Sequence, residues 1–339
     1  QLQHGEGVVT LADAQRNRLA PKPFLLFRLF EIVALPLGAG QHSPHFARQI
    51  NAGDLAKAQG TMGTLLLAKE GINGTIAGTR EGIDAILAHI RALPGCADLV
   101  WKESHADKMP FVRMKVRIKP EIVTLGVAGV DPLARVGRHV PPQDWNALIQ
   151  APDVAVIDTR NAYEISIGTF EGAIDPGTST FREFPAWWQE NQHKFAGKRI
   201  AMFCTGGIRC EKSTNYLLGQ GVPEVFHLQG GVLKYLEEIP EPESLWQGEC
   251  FVFDERVSVG HGLQAGPHQL CRCCRQPLPE GARDAPEFEL GVSCPRCHTS
   301  TSPAQKDGAR ERQRQWERAK VRAQAQLAQL ADEDGPDQP

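Results

Sequence analysis

The order of hydrophobic and polar residues before residue 120 predicts a small α+β domain. Gly63–Lys69 is an apolar run typical of a strand, Glu70–Gly74 predicts a tight turn, and Thr75–Gly78 predicts the return strand. Strands around a hairpin with helices on one side indicate a ferredoxin-like α+β sandwich, which we place at residues 22–120. Thr79 is suited to cap a helix whose apolar residues recur at helical spacing, and these are Ile83, Ile86, Leu87 and Ile90.

One further strand in this domain is predicted to carry positive charge on one face. Hydrophobic and basic residues alternate over Val112–Lys119, so hydrophobic residues from Val112 onward should face the core. Basic residues on the outer face could contact nucleic-acid phosphates, whereas lysine on an exposed strand can equally protect a sheet edge from pairing. Charge alone leaves both interpretations open. The candidates for RNA contacts are Lys69, Arg113, Lys115, Arg117 and Lys119.

A second domain with buried parallel strands is predicted after a connector rich in glycine and proline, Pro120–Pro142. A helix at Cys210–Leu218 separates the second and third of its strands. Strand, helix and strand in this order indicate an open α/β sheet over residues 143–243. Ligands of such sheets bind beyond the carboxyl ends of the strands, where Cys204 lies. The three predicted strands are Val154–Asp158, Arg199–Cys204 and Glu224–Leu228.

Four cysteines in the region 248–300 have the spacing of a metal site. Two C-x2-C pairs can supply four thiolates to a tetrahedral zinc ion at about 2.3 Å, and a site filled in this way is structural. Cys273 and His298 are adjacent, so the ligand set could shift by one residue, and free thiols in a flexible tail are the alternative. Residues 301–339 are predicted to form a charged helical tail. The candidate zinc ligands are Cys271, Cys274, Cys294 and Cys297.

The composition fits a multidomain globular protein. The chain has 339 residues, of which 37 are basic and 40 acidic, with a formal charge of −3. This near-neutral charge excludes binding of nucleic acid through overall charge but allows a local basic surface. The longest apolar stretch, Phe24–Gly40, is interrupted by Arg28 and Glu31, which predicts no membrane span. Nine cysteines, mostly clustered, indicate thiol or metal chemistry in a reducing compartment, and we expect a cytoplasmic protein.

The segment Cys204-Thr-Gly-Gly-Ile-Arg209 lies between a predicted strand and a predicted helix. A free thiol has an ordinary pKa of about 8.5 and reacts as a nucleophile only after ionisation. Two glycines let the loop curl, so that peptide N–H groups, the helix N-terminus and Arg209 favour an anion at one point. We therefore predict Cys204 and Arg209 as catalytic residues, with a buried structural thiol as the alternative. The active-site loop also contains Thr205, Gly206, Gly207 and Ile208.

This C-x4-R loop resembles that of rhodanese domains. The upstream segments Ile157–Arg160 and Gly172–Ile174 also resemble rhodaneses, although Gly168–Phe170 replaces the usual Gly-His-Ile step. The resemblance implies a rhodanese α/β domain with a parallel sheet. The predicted protein therefore combines α/β and α+β domains, followed by the zinc-knuckle segment that the cysteine spacing predicts. The residues that we expect to support the site are Asp158, Arg160 and Cys210.

Longer segments resemble one subfamily, the bacterial rhodanese-family tRNA uridine hydroxylases. The resemblance implies oxygen-dependent hydroxylation of the tRNA wobble uridine at carbon 5, with tRNA bound through its anticodon region and molecular oxygen as co-substrate. It also implies that Cys204 is the persulfide-forming cysteine. We hypothesise that Cys204 or its persulfide attacks carbon 6 of the uracil, so that carbon 5 becomes electron-rich enough to meet oxygen. The matching segments are Leu67–Thr75, Cys204–Lys212, Leu228–Tyr235 and Gly248–Arg256.

Some alternatives stay open on the sequence alone. The loop would equally suit a sulfurtransferase that passes persulfide sulfur to a thiol or protein acceptor, and a third reading is a non-catalytic RNA-binding scaffold. Cys210 is expected to pack rather than to resolve a disulfide. His105-Ala-Asp107 has the H-x-D form of an iron-binding triad, but no distant histidine stands out, so we interpret it as a surface loop. No glycine-rich dinucleotide fingerprint follows a predicted strand, so neither flavin nor nicotinamide is predicted.

Overall fold

The computed structural model describes residues 24–31, 55, 58–93, 95–99, 101–106, 108–278 and 281–333. They fall into two compact units. The first lies within Gln1–Arg160 and Ile174–Tyr235, and the second within Asn161–Ala173 and Leu236–Pro339. The predicted boundaries of the individual domains stay predictions.

Strands and helices are numbered here in chain order. The strands are β1 (Phe24–Glu31), β2 (Met62–Ala68), β3 (Gly71–Gly78), β4 (Trp101–Ala106), β5 (Met114–Ile118), β6 (Arg138–Val140), β7 (Val154–Asp158), β8 (Gly168–Phe170), β9 (Arg199–Phe203), β10 (Val225–Leu228), β11 (Trp246–Gly248), β12 (Cys250–Phe251), β13 (Ser258–Val259), β14 (Gln269–Leu270) and β15 (Pro277–Leu278). The α-helices are α1 (Arg80–Arg91), α2 (Pro142–Ile149), α3 (Ala162–Ile165), α4 (Phe184–Asn191), α5 (Ile208–Gly219), α6 (Gly231–Glu238) and α7 (Pro303–Glu333).

The N-terminal sheet has five strands in the order β4-β1-β3-β2-β5. β3 pairs antiparallel with β1 and β2, β4 pairs antiparallel with β1, and β5 lies parallel to β2. The order β4-β1-β3-β2 is that of a ferredoxin-like sandwich, so the predicted fold is confirmed, and β5 extends the sheet. Thr79 caps α1 as predicted, since its hydroxyl accepts a hydrogen bond from the Gly82 N–H at 3.2 Å. The predicted apolar residues of α1 all lie in the core.

Three details of this domain differ from the sequence prediction. His105, expected in a surface loop, lies in β4, where it pairs with Leu25 of β1. β3 begins at Gly71, so the turn is only Lys69-Glu70, because Gly74 pairs with Leu65 in the ladder and has no Cβ to collide with the neighbouring strand. Val112 was expected to face the core but is 61 % exposed, because it precedes the first residue of β5. The alternation holds from Met114 onward.

The second sheet is parallel and has the strand order β6-β10-β9-β7. It confirms the predicted parallel α/β sheet, and its core includes Trp188, Met202 and Leu217. β6 lies inside the segment predicted as a connector, and its sequence gave no signal because only Val140 of its three residues is buried. α5 begins at Ile208, two residues earlier than predicted, because the helix starts directly from the glycine loop.

The second unit contains three short antiparallel strand pairs, β8-β11, β12-β13 and β14-β15. The long helix α7 follows them, as the composition of the C-terminal segment predicts. Among the described helices, none combines the length and apolar character that crossing a membrane requires.

Candidate active site and cysteine cluster

Cys204 is the first residue after β9, at the carboxyl end of the parallel sheet. Gly207 has a φ of +101°, a left-handed conformation that favours glycine, and it forms the N-cap of α5. This turn brings the Gly207 N–H back to the Cys204 Sγ atom, to which it donates a hydrogen bond at 3.1 Å. The Cys204 side chain is buried. The predicted curl of the loop around the sulfur is therefore present.

The first residues of α6 hold the cysteine loop in place through backbone hydrogen bonds. The N–H groups of Val232 and Leu233 donate to the carbonyl oxygens of Cys204 and Thr205, at 3.0 and 3.1 Å. A Cβ atom on Gly231 would lie 2.5 Å from the Cys204 carbonyl oxygen, and Gly231 has a φ of +65°. Only glycine allows this close approach without strain. The carbonyl oxygens of Cys204 and Thr205 are thus occupied by α6, while the Gly207 N–H faces the sulfur.

Arg209 lies almost fully buried in the first turn of α5, and its Nη2 donates to the Thr205 hydroxyl at 3.2 Å. Burial, the largest influence, works to raise the pKa of the Cys204 thiol. Hydrogen bonds from the thiol and N–H of Cys210 oppose it, as does the positive charge of Arg209. The net effect lowers the pKa of Cys204 to about 6, so the thiolate predominates at neutral pH.

Cys210 behaves in the opposite way. Burial and the neighbouring Cys204 thiolate raise the pKa of Cys210 well above its ordinary value. Its Sγ atom lies 3.6 Å from the Thr159 hydroxyl, which itself donates to the Phe203 carbonyl at 2.9 Å. Of the two thiols, Cys204 is therefore the anion and Cys210 the protonated donor. This arrangement fits the predicted supporting place of Cys210.

Asp158 and Arg160 form a fully buried ion pair where β7 ends. Arg160 Nη2 donates to Asp158 Oδ2 at 2.6 Å and Arg160 Nε donates to Oδ1 at 2.9 Å. The guanidinium also lies over the ring of Phe203, the residue before Cys204, at 5.8 Å. The pair thus braces the two strand ends that position the loop.

Lys212 is a buried residue of the site region that sequence reasoning missed. Its Nζ donates to Glu70 at 2.9 Å and to Glu121 at 2.6 Å, and its side chain is 2 % exposed. Glu70 belongs to the β2–β3 turn of the N-terminal sheet, whereas Lys212 lies on the helix that follows the cysteine loop. The ion pairs therefore join the two sheets of the first unit. In the sequence, the one sign that Glu70 and Lys212 matter is that both lie in segments that resemble the hydroxylases.

The four predicted zinc ligands lie together. The Sγ atoms of Cys271 and Cys297 are 3.9 Å apart, those of Cys274 and Cys294 are 3.8 Å apart, and all four lie within 4.8 Å of one another. Four thiolates around a tetrahedral zinc ion at 2.3 Å are about 3.8 Å apart, so the spacing fits this metal. The predicted alternatives are not part of the group, because Cys273 Sγ lies beside the Thr301 hydroxyl and His298 beside the Glu287 carbonyl.

The predicted basic residues lie on and around β5, which forms an edge of the N-terminal sheet among the described strands. Arg113, Lys115 and Arg117 are exposed on the face opposite α1, whereas Met114 and Val116 pack toward the core. Lys69 is exposed in the β2–β3 turn and Lys119 is half-buried. The cationic face exists as predicted, and its edge position leaves the protective interpretation open as well.

The parallel sheet with a cysteine loop at its carboxyl end defines a rhodanese-like protein. In this chain a ferredoxin-like domain precedes the rhodanese-like domain. The family model described as "Rhodanese-like domain" matches residues 141–238, and the model described as "UPF0176 acylphosphatase like domain" matches residues 45–122.

Curated relatives extend this class to one family. The chain is 66 % identical over 275 residues to the tRNA uridine(34) hydroxylase of Ruegeria pomeroyi, which covers 81 % of this chain and 91 % of the relative. It is 56 % identical to the protein of that name from Albidiferax ferrireducens, over 90 % of this chain and 94 % of the relative. It is 52 % identical to the protein of that name from Agrobacterium fabrum, over 91 % of this chain and 98 % of the relative. The chain belongs to the tRNA uridine(34) hydroxylase family, and it is an enzyme.

Proposed function

We propose that the protein hydroxylates uridine 34 of tRNA at carbon 5, with the Cys204 sulfur as nucleophile. The observation that carries the proposal is the thiolate of Cys204, which has the Gly207 N–H at 3.1 Å and a pKa of about 6. A weakly basic anion of this kind can add to an electron-poor ring and leave it again. The names of the curated relatives support uridine 34 of tRNA as the substrate.

The proposed reaction consumes one oxygen molecule and two thiol molecules from outside the protein. The sulfur adds to carbon 6 of the uracil, and the electron pair of the 5,6 double bond moves to carbon 5, which adds O2 and a proton to give a hydroperoxide. Two thiols reduce the hydroperoxide to an alcohol and water and leave as a disulfide. Loss of the proton from carbon 5 then expels the sulfur and restores the double bond.

Arg209 and the loop N–H groups would stabilise the thiolate each time it leaves the ring. Because the Cys204 side chain is buried, a persulfide would help it to reach a base. The additional sulfur extends the reactive atom by about 2 Å. The persulfide form first needs a sulfane-sulfur donor such as thiosulfate, which transfers one sulfur atom to the Cys204 thiolate and leaves as sulfite. The remaining steps keep the same balance, since the outer sulfur adds to carbon 6 and later leaves it.

The other parts of the protein would serve recognition and stability. The basic face around β5 would contact the phosphates of the anticodon region. The four-cysteine cluster would hold zinc as a structural ion with no open coordination position. We place the protein in the cytoplasm, where tRNA is modified.

The direct test is nucleoside mass spectrometry of tRNA from cells that lack this gene and carry a plasmid copy. Wild type should restore 5-hydroxyuridine and Cys204→Ser should give none, because the serine hydroxyl does not ionise near neutral pH. Cys273→Ser is the matched control and should behave as wild type. Full 5-hydroxyuridine with Cys204→Ser would end the proposal. Unchanged tRNA in every strain, together with sulfur transfer from thiosulfate to cyanide by the purified protein, would favour the sulfurtransferase instead.

A further inference from the structure

Two histidines face each other on neighbouring strands of the parallel sheet. His139 on β6 and His227 on β10 are register partners, so their side chains leave the sheet on the same face. Their ring centroids are 4.1 Å apart. The sequence hides this pair, because the two residues are separated by most of the domain.

A carboxylate approaches the histidine pair from the helix that packs on this face. Glu211 lies in the first turn of α5, just after Cys210, and its Oε1 is 2.9 Å from the His139 Nε2 atom. One ligand atom from each of the three residues lies within 4.8 Å of the other two. Neighbouring nitrogen and oxygen ligands of an octahedral first-row metal ion are about 3 Å apart. His139 and Glu211 already have this spacing, whereas the His227 nitrogen would close in from a distance of up to 4.8 Å.

The buried histidine presents a free lone pair. His227 Nε2 lies 3.1 Å from the Gly137 carbonyl oxygen, which can only accept, so Nε2 carries the proton. In the neutral ring Nδ1 then holds the lone pair. Nδ1 is buried and has no hydrogen-bond partner among the described residues. Metal-bound histidines commonly donate from their second nitrogen to a carbonyl in this way.

We propose that His139, Glu211 and His227 form a binding site for a divalent first-row transition metal ion. Two imidazoles and one carboxylate, with the remaining coordination positions open, suit Fe2+ or Mn2+ better than the four-thiolate cluster does. The His139 side chain is 44 % exposed and gives the ion a path from solvent, whereas that of Glu211 is 10 % exposed. Binding through His139 Nε2 displaces any proton on that nitrogen, which passes to Nδ1 from the neutral ring or to solvent from the imidazolium.

The site can be measured apart from the cysteine cluster with Mn2+, which thiolates bind poorly. The full-length protein is titrated with Mn2+, and free ion is followed by its electron paramagnetic resonance signal. The wild type should take up one Mn2+ per chain. His139→Gln and Glu211→Gln should each weaken the binding by about tenfold or more, since the first removes the imidazole ligand and the second replaces a charged oxygen ligand with a neutral amide oxygen.

His193→Gln is the matched control, because His193 is an exposed histidine of the same unit, and it should bind as wild type does. His139→Gln carries the test even if a variant at buried His227 fails to fold. The proposal is overturned if wild type takes up no Mn2+ at millimolar concentration. It is equally overturned if His139→Gln and Glu211→Gln both bind as tightly as wild type, in which case the group is an ion pair stacked on a buried imidazole.

Discussion

The two groups of cysteines in this chain differ in what surrounds the sulfur. Cys204 is one thiol among hydrogen-bond donors and a guanidinium, and its pKa falls to about 6. In the C-terminal cluster each sulfur has at least one other sulfur at 3.6 to 3.9 Å, beside backbone N–H groups such as that of Cys294, which lies 3.3 Å from the Cys297 Sγ atom. A single thiolate stabilised by N–H groups is free to react, whereas four thiols at this spacing need a cation between them. The groups around a cysteine sulfur thus determine whether it serves as a nucleophile or as a metal ligand.

Removing one sulfur from the cluster should have the largest effect on the folded protein. Cys274→Ser takes away one of four proposed ligands, so we expect loss of bound zinc and a lower melting temperature of the second unit. Metal content by mass spectrometry and a thermal unfolding curve measure both. Cys273→Ser, one residue away and outside the group, should keep its zinc. A Cys274→Ser protein with a full complement of zinc would contradict the assignment.

A substitution at the start of α6, where the helix contacts the cysteine loop, should destabilise the protein less than loss of a zinc ligand does. Gly231→Ala places a Cβ 2.5 Å from the Cys204 carbonyl oxygen at a positive φ, so the free energy of unfolding should fall by about 1–3 kcal/mol. Denaturant unfolding gives this value. Gly219→Ala, at the end of α5 with open space around it, is the control and should cost nothing. Equal stability of the two variants would mean that α6 does not hold the loop.

The smallest effect is expected from substitutions on the basic face of the N-terminal sheet, which contains no cysteine and should influence only tRNA binding. The double variant Arg113→Gln/Arg117→Gln should bind tRNA more weakly and reduce the slope of log affinity against log salt by about two. Filter binding at several salt concentrations measures the slope. Lys198→Gln, an exposed lysine elsewhere in the first unit, is the control. An unchanged slope combined with aggregation of the double variant would favour edge protection.

The sites that sequence reasoning found are local in the chain. The cysteine loop spans only six residues, and each C-x2-C pair is a single turn, so residue type and spacing were enough to predict them. The sites that it missed join distant segments. Lys212 meets Glu70 across 142 residues, and His139 meets His227 across a strand register that only the fold defines. The hydrophobic pattern predicted β2, β3 and β5 of the first sheet and β7, β9 and β10 of the second. It did not predict β1, β4 or β6, and β6 buries only a single side chain.

The most direct test of the central claim is the pH dependence of Cys204 alkylation by a small reagent such as iodoacetamide. Only the thiolate reacts, so the rate rises with pH and levels off above the pKa. Trypsin cuts after Arg199 and Arg209, which places Cys204 and Cys210 in different peptides for mass spectrometry. We predict a midpoint at about pH 6 for Cys204 and a higher midpoint for Arg209→Gln. A midpoint at the ordinary value of about 8.5 in both proteins would contradict the account.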